Sequence, residues 1–445
     1  MNYKFITAIL LLFGFSLTAQ EKKWTLRECV NYALQHNISI QQSELDLKAA
    51  KIDKSDAIGN YLPSINANAS LAWNTGLTQN VTTGVLQNQT TRNFSTGATA
   101  GLSLFEGLRN LRTLQRAKMS RVAAEYSLNK MKEDIALFVA NAYLEVLVNK
   151  ETLKILQEQN LVTQQQLSRT QDLVDAGVVP TGDLLQIKAT NASEHQQIIA
   201  AENMVKISLI NLAQILLIQD YENFQIADPE FNVPVTNILD KSVYEIIEVA
   251  KEEKYEVKIA EQNLELAKKD IQIAKSNYYP SLTGFFNYNA RASNNDSFGS
   301  TMPFMEQLYT FDGISYGLQL NIPVLNGFSV RNSVQRSKIN VMRTEYNLQQ
   351  AKLDLESNVY QAYVDAKGAK EAYEAARVAF NAQQLAYDYA SERYDVGLSN
   401  SFELSESKFR LTNAESQLIQ AKYDYIFKIK VLELYFGIPI SELKL

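Results

Sequence analysis

The chain has 445 residues, 49 acidic against 43 basic, for a formal net charge of −6, and 46% of its residues are hydrophobic. That balance leaves no basic footprint for nucleic acid. Only 17 Gly and 8 Pro interrupt it, so long unbroken elements are expected, and the single cysteine, Cys29, excludes an internal disulfide.

The first residues have the form of a secretory signal, assigned to residues 1–19. Lys4 supplies the charged start, Ile6 to Leu17 the apolar run, and Thr18-Ala19 the small residues for cleavage. The run is shorter than the roughly 20 apolar residues a membrane span needs. No later stretch meets that requirement by eye, so any membrane crossing is expected through strands of a closed barrel. Helical periodicity follows from Leu26 to Ile58 and ends before Pro63.

Alternation then replaces it. Ile65, Ala67, Ala69, Leu71 and Trp73 share one face and Asn66, Asn68, Ser70 and Asn74 the other, which is a strand. A polar Thr/Asn/Gln-rich stretch, Thr75 to Asn93, is expected as a loop before a second strand with Ala98, Ala100, Leu102 and Leu104. One greasy and one wet face suit a transmembrane barrel, whose strands run about 9–11 residues. A half-buried soluble sheet has the same period.

From Arg109 to Asp175 no proline occurs, and Leu128, Met131, Ile135, Phe138 and Ala142 fall at coiled-coil spacing. At 1.5 Å per residue this predicts a helix of about 100 Å. The chain turns at Gly177 and returns through a helix of about 40 residues. Helices this long have little local core, which implies an assembly.

A short extended joint, residues 228–240 with Pro229 and Pro234, precedes a second passage through the same order. Leu26 to Ile65 aligns without gaps on Val243 to Leu282, with about a dozen of some 40 positions identical. Asn60-Tyr61-Leu62-Pro63-Ser64 answers Asn277-Tyr278-Tyr279-Pro280-Ser281, and Leu104 to Gly107 answers Val324 to Gly327. In the second passage Leu282, Phe286 and Tyr288 mark a strand, Ser293 to Gly313 a loop, and Ile314, Tyr316, Leu318, Leu320 and Ile322 another strand. Leu348, Ala351, Leu355 and Ala362 keep the helical seam and Gly397 the turn. The expected organisation is therefore two structural repeats, 20–227 and 241–445, with strand segments at about 64–105 and 281–323. Four strands cannot close a barrel, since single-chain bacterial barrels need at least eight.

With these pieces in order, the sequence resembles the TolC family of outer-membrane efflux proteins over about residues 24–440. The most specific piece is Arg393-Tyr394-Asp395-Val396-Gly397-Leu398, continued by Phe402-Glu403-Leu404. Its first-repeat counterpart is Asp175-Ala176-Gly177-Val178-Val179-Pro180 with Asp183-Leu184-Leu185. The resemblance implies a mainly α fold: a long α-helical coiled-coil barrel, with four β-strands per protomer joining a twelve-stranded barrel in a homotrimer. It implies a passive duct in the cell outer membrane with a large periplasmic part. That duct would be contacted by outer-membrane lipid and fed by a periplasmic adaptor and an inner-membrane pump of RND, ABC or MFS type.

Residue by residue, the resemblance makes Asp183, Glu403 and Glu406 gate acids at the closed periplasmic end. Gly177, Val178, Gly397 and Leu398 become adaptor-docking tips, and Pro63 and Pro280 the helix-to-barrel transitions. Gates locked by salt bridges carry an arginine where this chain has Ser399. A trimeric coiled-coil adhesin or stalk is the alternative, disfavoured because the strand pairs lie inside each repeat. No catalytic, metal or cofactor motif occurs, and the protein is not expected to be an enzyme or to need a cofactor. His36, His195 and Cys29 are assigned to surface or trimer packing.

Overall fold

A computed structural model describes residues 23–79, 84–229, 233, 236–295 and 302–438. The signal segment and Pro234 of the joint lie outside them. The chain divides into two compact units. One comprises Met1–Glu44, Ser127–Val257 and Ala351–Leu445, the other Leu45–Tyr126 and Lys258–Gln350.

In chain order the helices are α1 (Leu26–His36), α2 (Ile38–Gly59), α3 (Arg109–Asp175), α4 (Thr181–Leu216), α5 (Val243–Glu253), α6 (Tyr255–Ser276), α7 (Phe304–Thr310), α8 (Ser329–Asp395) and α9 (Ser401–Tyr435). The strands are β1 (Lys23–Trp24), β2 (Ser64–Gln79), β3 (Leu86–Glu106), β4 (Gln225–Ile226), β5 (Ser281–Asn295) and β6 (Asp312–Asn321). Each of α3 and α8 has 67 residues, and the helices that follow their turns have 36 and 35.

Where one helix was expected over Leu26–Ile58 there are two. Asn37 breaks the run with extended backbone, φ −61° and ψ 132°. Its amide donates to Ile215 O at 3.2 Å and its carbonyl accepts from Ser39 N at 2.9 Å. A side chain that offers the backbone such partners competes with helix continuation. Lys254 makes the corresponding break between α5 and α6, and its ammonium reaches Glu133 Oε2 at 2.9 Å.

In the helical unit, the core gathers where β1 and β4 pair in parallel, Lys23 with Gln225 and Trp24 with Ile226. Tyr143 of α3 is wholly buried there and donates to Ala227 O at 2.8 Å. Cys29, Ala33, Leu212, Leu216, Ile246, Ile429 and Leu432 are fully buried. Cys29 is thus a core residue of one chain, not a surface or assembly residue. Along the expected α3 seam Leu128, Ile135 and Ala142 are buried, but Phe138 is 62% exposed. α4 corrects another expectation. By length and composition it alone among the described residues qualifies to cross a membrane, though a third of that apolar window is buried within the protomer.

The other unit carries an antiparallel sheet in the order β2-β3-β5-β6. Three of its strands outrun the expected 9–11 residues, at 16 for β2, 21 for β3 and 15 for β5, while β6 has 10. The stretch expected as a loop, Thr75 to Asn93, is strand up to Gln79 and again from Leu86. Polar side chains pair across the ladder there, with the Thr75 and Thr90 hydroxyls 2.9 Å apart, and just outside the stretch those of Ser70 and Ser95 are 2.7 Å apart. Threonine suits a pleated strand whatever its polarity. The expected Ser293–Gly313 loop likewise begins as strand and contains α7.

Pro63 and Pro280 stand between α2 and β2 and between α6 and β5, as expected, where a helix cannot continue. The return from strand to helix uses two successive left-handed residues, Gly107-Leu108 (φ 60° and 67°) and Gly327-Phe328 (φ 56° and 65°). At Gly107 an added Cβ would lie 2.5 Å from Ser276 O and 2.7 Å from Tyr279 Cβ, whereas at Gly327 nothing is within 4 Å. Gly327→Ala should cost about 1–2 kcal/mol for its left-handed backbone. Gly107→Ala should cost about 1–3 kcal/mol more for overlap. Thermal midpoints of the two variants check this, and equal midpoints would contradict it.

Candidate functional site

The helix-turn tips are built by backbone geometry. Val178 N donates to Leu173 O and Gly177 N to Val174 O, both at 2.9 Å, with Gly177 at φ 72°. Leu398 N donates to Arg393 O at 2.8 Å and Gly397 N to Tyr394 O at 3.0 Å, with Gly397 at φ 77°. Both are Schellman closures, and both need a residue that tolerates positive φ. They leave the apolar Val178 at 66% and Leu398 at 70% exposure, with Val396 exposed beside Leu398. The helices restart differently. Asn400 caps α9 by accepting from Glu403 N at 2.9 Å, whereas Pro180 opens α4 with no side-chain cap.

Within one protomer two of the three acids expected at the gate have side-chain partners. Asp183, in the first turn of α4, accepts from Ser401 Oγ at 2.7 Å, and Ser401 is buried. Glu406 is paired with Arg410 at 2.6 Å, so its charge is partly neutralised. Glu403 is exposed in the first turn of α9, where a carboxylate suits the helix dipole. The bond to Ser401 ties Asp183 to the helical turn that carries Glu403.

Sequence reasoning missed the links between the two hairpins. Arg169 of α3 pairs with Asp395 of α8 at 2.6 Å, and the Thr170 hydroxyl lies 3.2 Å from that of Tyr394. Tyr394 and Asp395 stood in the most specific motif, but nothing in the sequence named their partners. Ser399, where a locking arginine was absent, has a buried hydroxyl with no hydrogen-bond partner.

Farther along α9 lies a buried polar cluster. The Lys408 ammonium, 3% exposed, donates to Gln159 O and Thr163 Oγ1 of α3 and to Glu194 Oε1 of α4 at 3.1 Å. Glu194 also accepts from Thr163 Oγ1 at 2.8 Å and from Asn160 Nδ2 at 3.0 Å. Burial lowers the lysine pKa from 10.5, and Glu194 opposes that shift. A charged lysine at this depth holds its proton only because three acceptors replace water. By spacing alone Lys408 looks like any solvated helix lysine. His36 stacks on Tyr32 with ring centroids 4.0 Å apart, and His195 is exposed. Among the described residues no group of three His, Cys, Asp or Glu is placed to hold a metal.

Lys408→Met is expected to destabilise the helical unit by about 3–5 kcal/mol, because Glu194 loses its cation inside the bundle. Adding Glu194→Gln should recover at least half. The folded lysine pKa lies below the unfolded 10.5, so between them the unfolded chain binds more protons and stability rises with pH. Lys408→Met should flatten that rise in denaturant titrations taken from neutral pH to above 10.5. An unchanged slope would remove Lys408 as its source.

Comparison with known proteins places this geometry. The family model described as outer membrane efflux protein matches residues 29–216 and 246–436. Protein CyaE of Bordetella pertussis is 26% identical over 381 residues, covering 85% of this chain and 77% of that protein. Outer membrane protein TolC of Vibrio cholerae is 24% identical over 330 residues, covering 73% and 72%. Among solved structures, the Campylobacter jejuni CmeC outer membrane channel superposes with a TM-score of 0.78 at 18% identity, covering 94% of this chain and 88% of that one. The outer membrane protein VceC of Vibrio cholerae gives 0.76 at 15%, covering 93% and 96%. The mostly helical fold with a small sheet is that of these channels, and the adhesin alternative is not favoured. With both matched segments reaching through a pair of hairpin helices, the chain belongs to the outer membrane efflux protein family, and its place is the outer membrane as a channel of an efflux or type I secretion system.

Proposed function

We propose that the protein is a homotrimeric duct whose three four-stranded sheets close one twelve-stranded barrel, continued by helices into the periplasm. The observation that carries this is the sheet itself. Its apolar face is exposed in the protomer, with Ile65 at 72%, Leu318 at 68% and Tyr316 at 80%, and β2 and β6 are left as open edges. Lipid cannot satisfy the backbone groups of an open edge, so other copies must pair them.

The repeated order of elements, the paired breaks at Asn37 and Lys254, and the doubled left-handed residues after β3 and β6 support an internal duplication. In this reading residues 1–19 are a cleaved signal, 228–240 join the repeats, and Pro63 and Pro280 mark entry into the barrel.

Cargo would enter from an inner-membrane pump through a periplasmic adaptor, the pump supplying the energy. The exposed apolar Val178 and Leu398, held out by Gly177 and Gly397, suit an adaptor contact. Asp183, Glu403 and Glu406, in three copies, would line the closed entrance with negative charge and favour cations. The Arg169–Asp395 and Ser401–Asp183 links would hold the hairpins of each protomer together in the closed form. An exposed ion pair is worth at most about 1 kcal/mol, so no single link is expected to hold the gate.

Purified protein in planar bilayers should therefore conduct weakly. Arg169→Ala combined with Asp183→Ala should raise single-channel conductance several-fold, and either change alone should do less. Trimers that never conduct, with or without these changes, would sink the channel reading. Leu398→Glu with Val178→Glu should abolish cross-linking to the adaptor while leaving conductance alone. Retained cross-linking would move the docking surface elsewhere.

A further inference from the structure

On the apolar face of the sheet, one cross-strand row differs from its neighbours. Trp73 of β2 stands opposite Arg92 of β3, which stands opposite Asn294 of β5. The adjoining row is wholly apolar: Leu71, Phe94 and Ala292. Trp73 is 62% exposed, Arg92 is exposed, and Arg92 makes no ion pair among the described residues. β3 lies between β2 and β5, so Arg92 is not on an edge that another copy would pair.

The short helix α7 lies beside this row on the same face. The Phe304 ring meets the Phe94 ring edge-on at 5.3 Å, and Ala290 and Ala292 are buried. Gln307 anchors the segment, accepting from Ser293 N and donating to Met302 O, both at 2.9 Å. Arg92, Asn294 and Phe304 contribute to a cleft of about 200 Å³. Outward α7 presents Met305, 58% exposed, and Tyr309, 75% exposed, with Glu306 exposed between them. A helix in water would turn Met305 and Tyr309 inward, whereas one in contact with acyl chains would not.

The row also sits at a telling height. Trp73 is nine residues beyond the start of β2 at Ser64. At about 3.4 Å per residue and a tilt of about 35–45°, that is about 21–25 Å of height. The apolar band of a barrel is about 25 Å tall and ends in an aromatic girdle. Beyond the row the face takes on Thr75, Thr90 and Asn88 beside Leu77 and Leu86. A guanidinium at this boundary, with no ion pair among the described residues, faces headgroups, and its planar fork matches phosphate oxygens.

We propose that the Trp73–Arg92–Asn294 row, with α7 beside it, binds the phosphate of an anionic lipid headgroup in the outer leaflet. Arg92 takes the phosphate, Trp73 lies at the headgroup level, and Met305 and Tyr309 rest against the acyl chains. This rests on the reading of the sheet as part of a transmembrane barrel with its apolar face outward.

The chain has two tryptophans, Trp24 and Trp73, so Trp24→Phe leaves Trp73 as the sole reporter. The full-length protein is reconstituted in vesicles holding a minor fraction of either phosphatidylglycerol or phosphatidylcholine brominated on the acyl chains. Brominated phosphatidylglycerol should be enriched about fivefold at Trp73 by quenching, the size of one arginine–headgroup attraction. Arg92→Gln should abolish that preference and leave quenching by phosphatidylcholine unchanged, and Arg92→Lys should keep part of it. Excess inorganic phosphate should not compete.

Equal quenching by the two lipids in the unsubstituted site would overturn the headgroup proposal and leave the barrel standing. Quenching by neither would overturn the barrel reading. Competition by inorganic phosphate would make the site one for the free ion, and loss of trimers in Arg92→Gln would make Arg92 a contact between chains. Each of those two outcomes overturns the proposal. Native mass spectrometry of the wild-type protein and Arg92→Gln with the same two lipids gives the same comparison should Trp24→Phe fail to fold.

Discussion

The unsatisfied edge is the constraint on which the rest turns. Every backbone N–H and C=O needs a partner, and where lipid replaces water the chain must find them in another strand. Four strands ordered β2-β3-β5-β6 satisfy three ladders and leave two edges, one of 16 residues and one of 10. An apolar exposed face on the same sheet removes water as the remedy. In the proposed barrel, hydrogen-bond accounting alone therefore asks for closure by other copies.

Around that sheet, the chain spends its few irregular residues at changes of element. Asn37 and Lys254 interrupt helices by giving side-chain atoms to distant partners. The prolines stop α2 and α6, and a pair of left-handed residues admits α3 and α8. At the tips a glycine closes each helix through the same two backbone bonds. The shape of both tips is thus set by main chain, which leaves the side chains Val178 and Leu398 free of structural duty.

Periodicity and punctuation made most of this legible in the sequence. The long helices, the glycine turns and the alternation of Ile65 to Trp73 announce themselves because each depends on local pattern. What was misread depended on distant partners. Thr75 to Asn93 is polar by composition, yet most of it is strand because a facing strand supplies its bonds. Asn37 looks helical until Ile215 O comes within reach, and Cys29 looks peripheral until the folded unit buries it. The candidate site was legible to the same extent. Gly177 and Gly397 were readable from local conformation, whereas Arg169, Thr170 and Lys408 gain meaning only when hairpins far apart in sequence meet.

Lys408 has a mechanical side as well. An apolar seam between helices is smooth and tolerates slippage by a turn, but a buried lysine with directional bonds to three acceptors fixes axial register at one point. Sliding of α9 against its neighbours would break those bonds, whereas a small rotation about that point would not. Lys408 lies seven residues past Ser401, the first residue of α9, so the lever from fulcrum to helix start is about 10 Å. A swing of about 10° would carry the start of α9 about 2 Å, while the bonds at the fulcrum stay made.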